Sequence, residues 1–130
     1  MSVTESTSEP TASDTVKKFL QTMQARDLEG AKSFLADGFS MTFPGNSRFT
    51  ALEELVAWSK DRYLSVAKTY DRFDEAPGPG GVTVYCYGTL SGVWLDGSEF
   101  AGIRFIDRFE VADGKLTDQQ VWNDMAESLR

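Results

Sequence analysis

The chain has 130 residues, with 13 Lys plus Arg against 20 Asp plus Glu for a formal net charge of -7, and it contains no histidine and a single cysteine. That length fits one domain with a sizeable core. The acidity argues against nucleic acid or an anionic membrane surface as partner and points to a small uncharged or cationic molecule, or another protein. Without histidine, Ser-His-Asp triads, His-ligated metal sites and His–Asp proton relays are excluded, so no cofactor or metal is expected and any chemistry rests on Asp, Glu, Tyr, Lys, Arg or amide groups. Cys86 forms no intrachain disulfide and reads as a small buried hydrophobe in a reducing compartment.

Residues 1–13, rich in Ser, Thr and Glu, have no apolar period and no basic or apolar core of a signal peptide. They read as a disordered acidic tail ahead of one domain over 14–130, and a cytoplasmic location follows. Val16, Phe19, Leu20 and Met23 then fall at i, i+3, i+4 and i+7, which predicts a helix from Asp14 to Ala25. A second helix is expected from an Asp27 N-cap through Leu28, Ala31, Phe34 and Leu35 to a Gly38 cap. "FSMTF" alternates as a strand ending at Pro44-Gly45. Thr50 and Glu53 read as a capping box for a third helix whose face carries Leu52, Leu55, Val56, Ser59 and Tyr63.

From Val66 onward the pattern turns to strands: "VAKTYDRF", "GVTVYCYGTLSGVWL", "SEFAGIRFIDRFEV" and "KLTDQQVWND". They are parted by "PGPGG" and by the hairpin signals Asp96-Gly97 and Asp113-Gly114. "PGPGG" has neither the following helix nor the Lys of a phosphate-binding loop and reads as a turn. Helices first and a long antiparallel meander afterwards predict an α+β domain, three N-terminal helices packed on a curved, mostly antiparallel sheet.

The order and spacing of "VKKFLQTMQARDLEGAKSFLADGF" and "IDRFEVADGKL" resemble the NTF2-like superfamily, the cone-shaped, cystatin-like fold of ketosteroid isomerase, limonene epoxide hydrolase, scytalone dehydratase and the SnoaL-type polyketide cyclases. The resemblance spans about residues 14 to 126. It places Asp107 where the isomerase motif "IDxF" carries a protonated, oxyanion-binding Asp. It also places Phe19 at the oxyanion Tyr and Phe43 at the general base, which makes steroid isomerisation improbable. The epoxide hydrolase positions are filled by Gln119 and Val121, the last strand reads "DQQVWND" where the cyclases carry acids or histidines, and the histidines of scytalone dehydratase are absent. The superfamily also implies a homodimer through the outer face of the sheet.

Asp107 interrupts an apolar row of Ile103, Phe105, Phe109 and Val111, so a carboxyl is held in an apolar place and its pKa should rise. A three-residue loop at "VADGK" sets Asp107 opposite Gln119, Phe105 opposite Val121 and Ile103 opposite Asn123; a two-residue loop substitutes Gln120 and Trp122. On the other side, the length of the Asp96-Gly97 loop puts either Tyr85 or Cys86 beside Asp107, and Tyr85 is favoured because its hydroxyl would satisfy the carboxyl. Phe19, Met23, Trp58, Met41 and Phe43 complete the expected ligand-binding wall with Phe105, Gln119, Val121 and Asn123, while Asp107 and Tyr85 are the candidate catalytic pair. Arg104, Ile106, Arg108 and Trp122 occupy the opposite face, suited to a second copy. Two functions fit this set. The first is a SnoaL-like enzyme doing acid/base chemistry, whether isomerisation, cyclisation, dehydration or hydrolysis, on a small apolar carbonyl- or hydroxyl-bearing substrate. The other is a non-catalytic ligand-binding or dimeric interaction module.

Overall fold

The computed structural model describes residues 11–128. Most of the expected tail lies outside these residues. Within them, helix α1 (Ala12–Gln24) begins two residues earlier than the apolar period implies, because Thr11 and Asp14 form a reciprocal capping box, each side chain accepting from the other's backbone N–H at 3.1 Å. Its buried face carries Val16, Phe19 and Leu20. The second helix, α2 (Leu28–Lys32), is much shorter than expected. Asp27 caps it as predicted, accepting from Gly30 N–H at 3.0 Å, but the chain is already extended by Leu35, and Gly38 (φ 80°) serves an irregularity in strand β1 (Leu35–Phe43) rather than a helix end.

After the Pro44-Gly45 turn comes a short strand, β2 (Ser47–Phe49), and then α3 (Leu52–Lys60). Glu54 rather than Glu53 caps α3, accepting from the backbone N–H of Thr50 and Ala51 at 3.1 and 3.2 Å, while Glu53 pairs with Lys32. Tyr63 leaves the helix and opens β3 (Tyr63–Gly78), followed by β4 (Gly81–Trp94), β5 (Glu99–Ala112), β6 (Lys115–Asn123) and a final turn of helix, α4 (Met125–Ser128). None of these helices is long and apolar enough to cross a membrane.

The six strands form one sheet in the order β2-β1-β6-β5-β4-β3, antiparallel except where β1 runs parallel to β6. The fold is therefore the expected α+β arrangement of N-terminal helices on the inner face of a curved sheet. Alternation sends Val84, Cys86 and Leu90 of β4 and Ile103, Phe105, Phe109 and Val111 of β5 into the core. Phe19 of α1 meets Phe39 and Phe109 edge-on, at centroid distances of 6.4 and 6.0 Å, and so fixes the helix across the sheet.

Two bulges set the registers that matter. The loop between β4 and β5 has three residues, with Trp94 N–H donating to Ser98 and Gly97 at φ 90°. Continued without interruption, it would pair Tyr85 with Asp107. The ladder slips by one residue at Ala101–Gly102, where Gly102 takes φ 72°, so Cys86 is the partner of Asp107 and Tyr85 stands opposite Arg108. Between β5 and β6 the turn is only the two residues Asp113-Gly114, with φ of 53° and 73°, the signature of a type I′ hairpin. An extra residue, Thr117, then shifts that ladder again, which pairs Asp107 with Val121, Phe109 with Gln119 and Phe105 with Asn123.

Candidate functional site

Asp107 is completely buried in the inner row of β5. Opposite it across the sheet, Val66, Lys68 and Tyr70 alternate on the inner side of β3, and Lys68 pairs with Leu90 of β4 while Asp107 pairs with Cys86. Gly88 lies between those two β4 residues, on the diagonal from Lys68 to Asp107. With no side chain in the way, the lysine crosses β4, lies 4.9 Å from the centroid of the Phe105 ring and donates from Nζ to Asp107 Oδ2 at 2.5 Å. Oδ1 of Asp107 has no hydrogen-bond partner among the described residues.

Burial pushes the Asp107 carboxyl above its ordinary range, and the pull of Lys68 in the other direction does not cancel it. For Lys68, burial is the largest influence and works against the ammonium, but the attraction and hydrogen bond of Asp107 together with the influence of Tyr70 and Cys86 outweigh it, so the lysine titrates higher than usual. The pair thus combines a firmly charged ammonium with a carboxyl that binds its proton more readily than a free one. Burial also drives Tyr70 and Cys86 to about 12, which leaves the thiol inert.

Lys68 is the outlet of this buried pair. Its side chain retains 22% exposure, whereas that of Asp107 has none, and it borders two adjoining cavities. The larger, of about 690 Å³ counting the space open to solvent, lies between α1, α3 and β3 and is walled by Phe19, Met23, Phe43, Val56, Tyr63, Tyr70 and Gln119, with Arg26 at its rim. The second, of about 590 Å³ on the same measure, is walled by Phe43, Trp58, Tyr63, Leu90, Phe105, Val121 and Asn123, with Arg62. Phe43, Tyr63, Val66 and Lys68 belong to both. Trp58 packs on Phe43 and Phe49 at 5.5 and 5.4 Å and carries the Arg62 guanidinium 4.3 Å from its ring centroid. Such apolar chambers with a few convergent polar groups are the usual makeup of a small-molecule site.

Of the residues singled out from the sequence, Phe19, Met23, Phe43 and Gln119 line the first cavity, and Phe43, Trp58, Phe105, Val121 and Asn123 line the second. Met41 does not: it is fully buried in the core beneath them. Asp107 touches neither cavity directly. Tyr85 leaves the site altogether: it alternates with the inward Val84 and Cys86 and so faces outward, opposite Arg108 rather than Asp107. Lys68, Tyr63, Arg26 and Arg62 are the functional candidates that sequence reasoning missed. Lys68 carried the same signal as Asp107, a charged residue between Val66 and Tyr70 in an alternating row.

No protein-family model matches the sequence, and no curated protein is significantly similar to it. Solved structures are similar in fold. An NTF2-like protein of unknown function from Burkholderia pseudomallei superposes with a TM-score of 0.73 at 19% identity, over 88% of this chain and 91% of that one. TerC, crystallised with polyporic acid, gives 0.76 at 18% identity over 88% and 92%. A protein described as a SnoaL-like polyketide cyclase, from Jannaschia, gives 0.70 at 15% identity over 94% of each chain. The NTF2-like fold expected from the sequence is therefore the fold observed.

Proposed function

We propose that this NTF2-like chain is a small-molecule enzyme of the SnoaL-like type, performing acid/base chemistry on an apolar substrate that bears a carbonyl or hydroxyl oxygen. The carrying observation is the buried Asp107 carboxyl joined to an ammonium that faces two apolar cavities. Lys68 is the catalytic residue: its Nζ–H donates to the substrate oxygen and stabilises negative charge that develops there, between apolar walls. Asp107 is a positioning residue. It holds the lysine across Gly88 and, having a raised proton affinity, returns a proton to Nζ when the lysine passes its own to the substrate oxygen; the proton that leaves the substrate carbon goes to water in the cavity, and the carboxylate regains its proton through Nζ of Lys68, which borders that cavity. Gln119, buried beside the larger cavity, offers an amide to orient the same oxygen. That structural neighbours include a protein described as a polyketide cyclase, and one crystallised with polyporic acid, supports a small-molecule reading.

The test is turnover of two apolar probes, α-proton exchange of 2-tetralone in D2O and hydrolysis of styrene oxide. Activity on either that falls roughly 100-fold in Asp107→Asn and further in Lys68→Met supports the reading. The second reading, a non-catalytic binding module, is favoured by one observation, that Asp107 is screened from both cavities by Lys68. Tight ligand binding with turnover of neither probe would establish it instead.

We also propose a homodimer through the outer face of the sheet. Tyr87, Ile106 and Trp122 form a row across β4, β5 and β6, and Trp122 is half exposed, an arrangement that a second copy would cover.

A further inference from the structure

The charges around the two cavities are of one sign. In a chain with a net charge of -7, every charged residue on their walls is a cation: Arg26 and Lys68 in one, Arg62 and Lys68 in the other. Among the described residues, no Asp or Glu side chain lines either chamber. The three cations converge on Tyr63, which both cavities share, and each pulls its phenol downward against the upward push of burial. Two of them are not committed elsewhere. Among the described residues, neither Arg26 nor Arg62 has a carboxylate within ion-pair distance, which leaves both charges available to an anion in the cavities. Both are also held in place without a counterion. Arg26, at φ 61°, donates from Nη1 to Met23 O at 3.2 Å, and Arg62 lies on the Trp58 ring.

We propose that the cavity takes an anionic amphipathic molecule: a carboxylate or ionised enol on an apolar, ring-sized body, with its charge between Lys68 and the rim arginines and its rings against Phe43, Trp58 and Phe105. This rests on reading the cavities as a small-molecule site and adds the charge of the occupant. It runs against the bulk composition, from which an uncharged or cationic partner is expected. Net charge sums the whole surface, while a concave site with low-dielectric walls feels mainly the charges that line it. The acidic exterior then deters anions in general, and the cationic lining admits those whose apolar body fits. Asp107 does not reverse this. It lies beneath Lys68, and its raised proton affinity limits how much of the lysine's charge it neutralises.

The experiment is isothermal titration calorimetry of the full chain with three probes that share the naphthalene body and differ in charge, 2-naphthoate, 2-naphthamide and 2-naphthylmethylammonium. Naphthoate is expected to bind roughly tenfold or more tighter than the amide, with the ammonium weakest, and added NaCl should narrow the gap. Arg26→Gln with Arg62→Gln should remove part of the preference. Lys68→Met with Asp107→Asn, which deletes the pair without stranding a buried carboxylate, should remove more. An amide that binds as tightly as naphthoate overturns the proposal, and so does a preference unchanged in both double variants. Binding of none of the three at millimolar concentration overturns it as well, since the apolar walls should hold any naphthalene. The acid/base reading stands or falls separately, on turnover, so the two failures are distinguishable.

Discussion

Lys68 Nζ sits 2.5 Å from Asp107 Oδ2, although the two residues belong to strands separated by β4, and the residue they span is Gly88. The contact ties β3 to β5 across the inner surface and gives a buried carboxyl its one hydrogen-bond partner among the described residues. Lys68→Met should therefore cost about 3 kcal/mol at pH 7, because it leaves an uncompensated carboxyl in an apolar site. The cost should shrink as pH falls and the carboxyl protonates. Urea denaturation of both proteins at pH 7 and pH 5 checks this; an equal loss at the two values would mean that only the packing of the lysine stem matters.

The crossing depends on Gly88 in a second way. A Cβ there would come 1.9 Å from the carbonyl oxygen of Thr69, in the backbone of β3 beside its bulge. Backbone cannot swing aside as a flexible side chain does, so Gly88→Ala should force β3 away from β4. The expected loss is about 1–3 kcal/mol, the usual cost of overpacking, together with a weaker Lys68–Asp107 contact. A thermal melt of the variant that overlays the wild type would show that the two strands have slack at this point.

The fold was legible because its signals are local and periodic: the α1 face at Val16, Phe19 and Leu20, the alternation of β5, the Asp-Gly turns. Asp107 was legible for the same reason, as a charge in an apolar row. Its neighbours were not. The sequence left the length of the Asp96-Gly97 loop open and favoured Tyr85 for its hydroxyl, but the loop has three residues and the bulge at Gly102 sets Cys86 opposite Asp107; at the other hairpin a two-residue turn and the Thr117 bulge combined to keep Gln119 on the inner face while moving it opposite Phe109. Bulges answer to the curvature of the whole sheet, which no short window of sequence contains. Lys68 escaped for a different reason. A lone lysine in a strand usually points to solvent, and only the closure of β3 over Gly88 turns it inward.

The outer face carries a prediction about assembly. Arg72, Tyr87, Ile106 and Trp122 are consecutive partners across four strands, so they form one continuous row, and the flanking Arg104 and Arg108 are ion-paired with Asp124 and Glu110. Charges neutralised within the chain and an exposed indole suit contact with an identical surface. Light scattering at micromolar concentration should give the mass of a dimer, and Trp122→Lys should give a monomer with unchanged circular dichroism. A monomer for the wild type would count decisively against the dimer.

The pH dependence of stability isolates Asp107. Its folded-state proton affinity is raised, so the native protein holds this proton more tightly than the unfolded chain, whose carboxyl titrates near 3.8. The contribution of Asp107 to stability is thus greatest at low pH, declines as pH rises from about that unfolded value toward the folded one, and is constant above it. Lys68 adds no slope in that window. Its own affinity is raised as well, so its contribution is fully present below its unfolded value of 10.5 and is lost only above it. Asp14, Glu53 and Asp96 are held low by hydrogen bonds and pull the other way, gaining stability as pH rises through the acid range. They are common to wild type and variant and cancel in the difference. Asp107→Asn keeps the acceptor for Lys68 and cannot ionise. Measured by chemical denaturation in steps from pH 4 to pH 8, the stability of the variant minus that of the wild type should therefore increase with pH and then level off, and the plateau marks the folded-state pKa. A difference that instead decreases over this range would mean that the folded protein prefers the carboxylate, making Asp107 a structural acceptor and removing the proton store from the proposed chemistry.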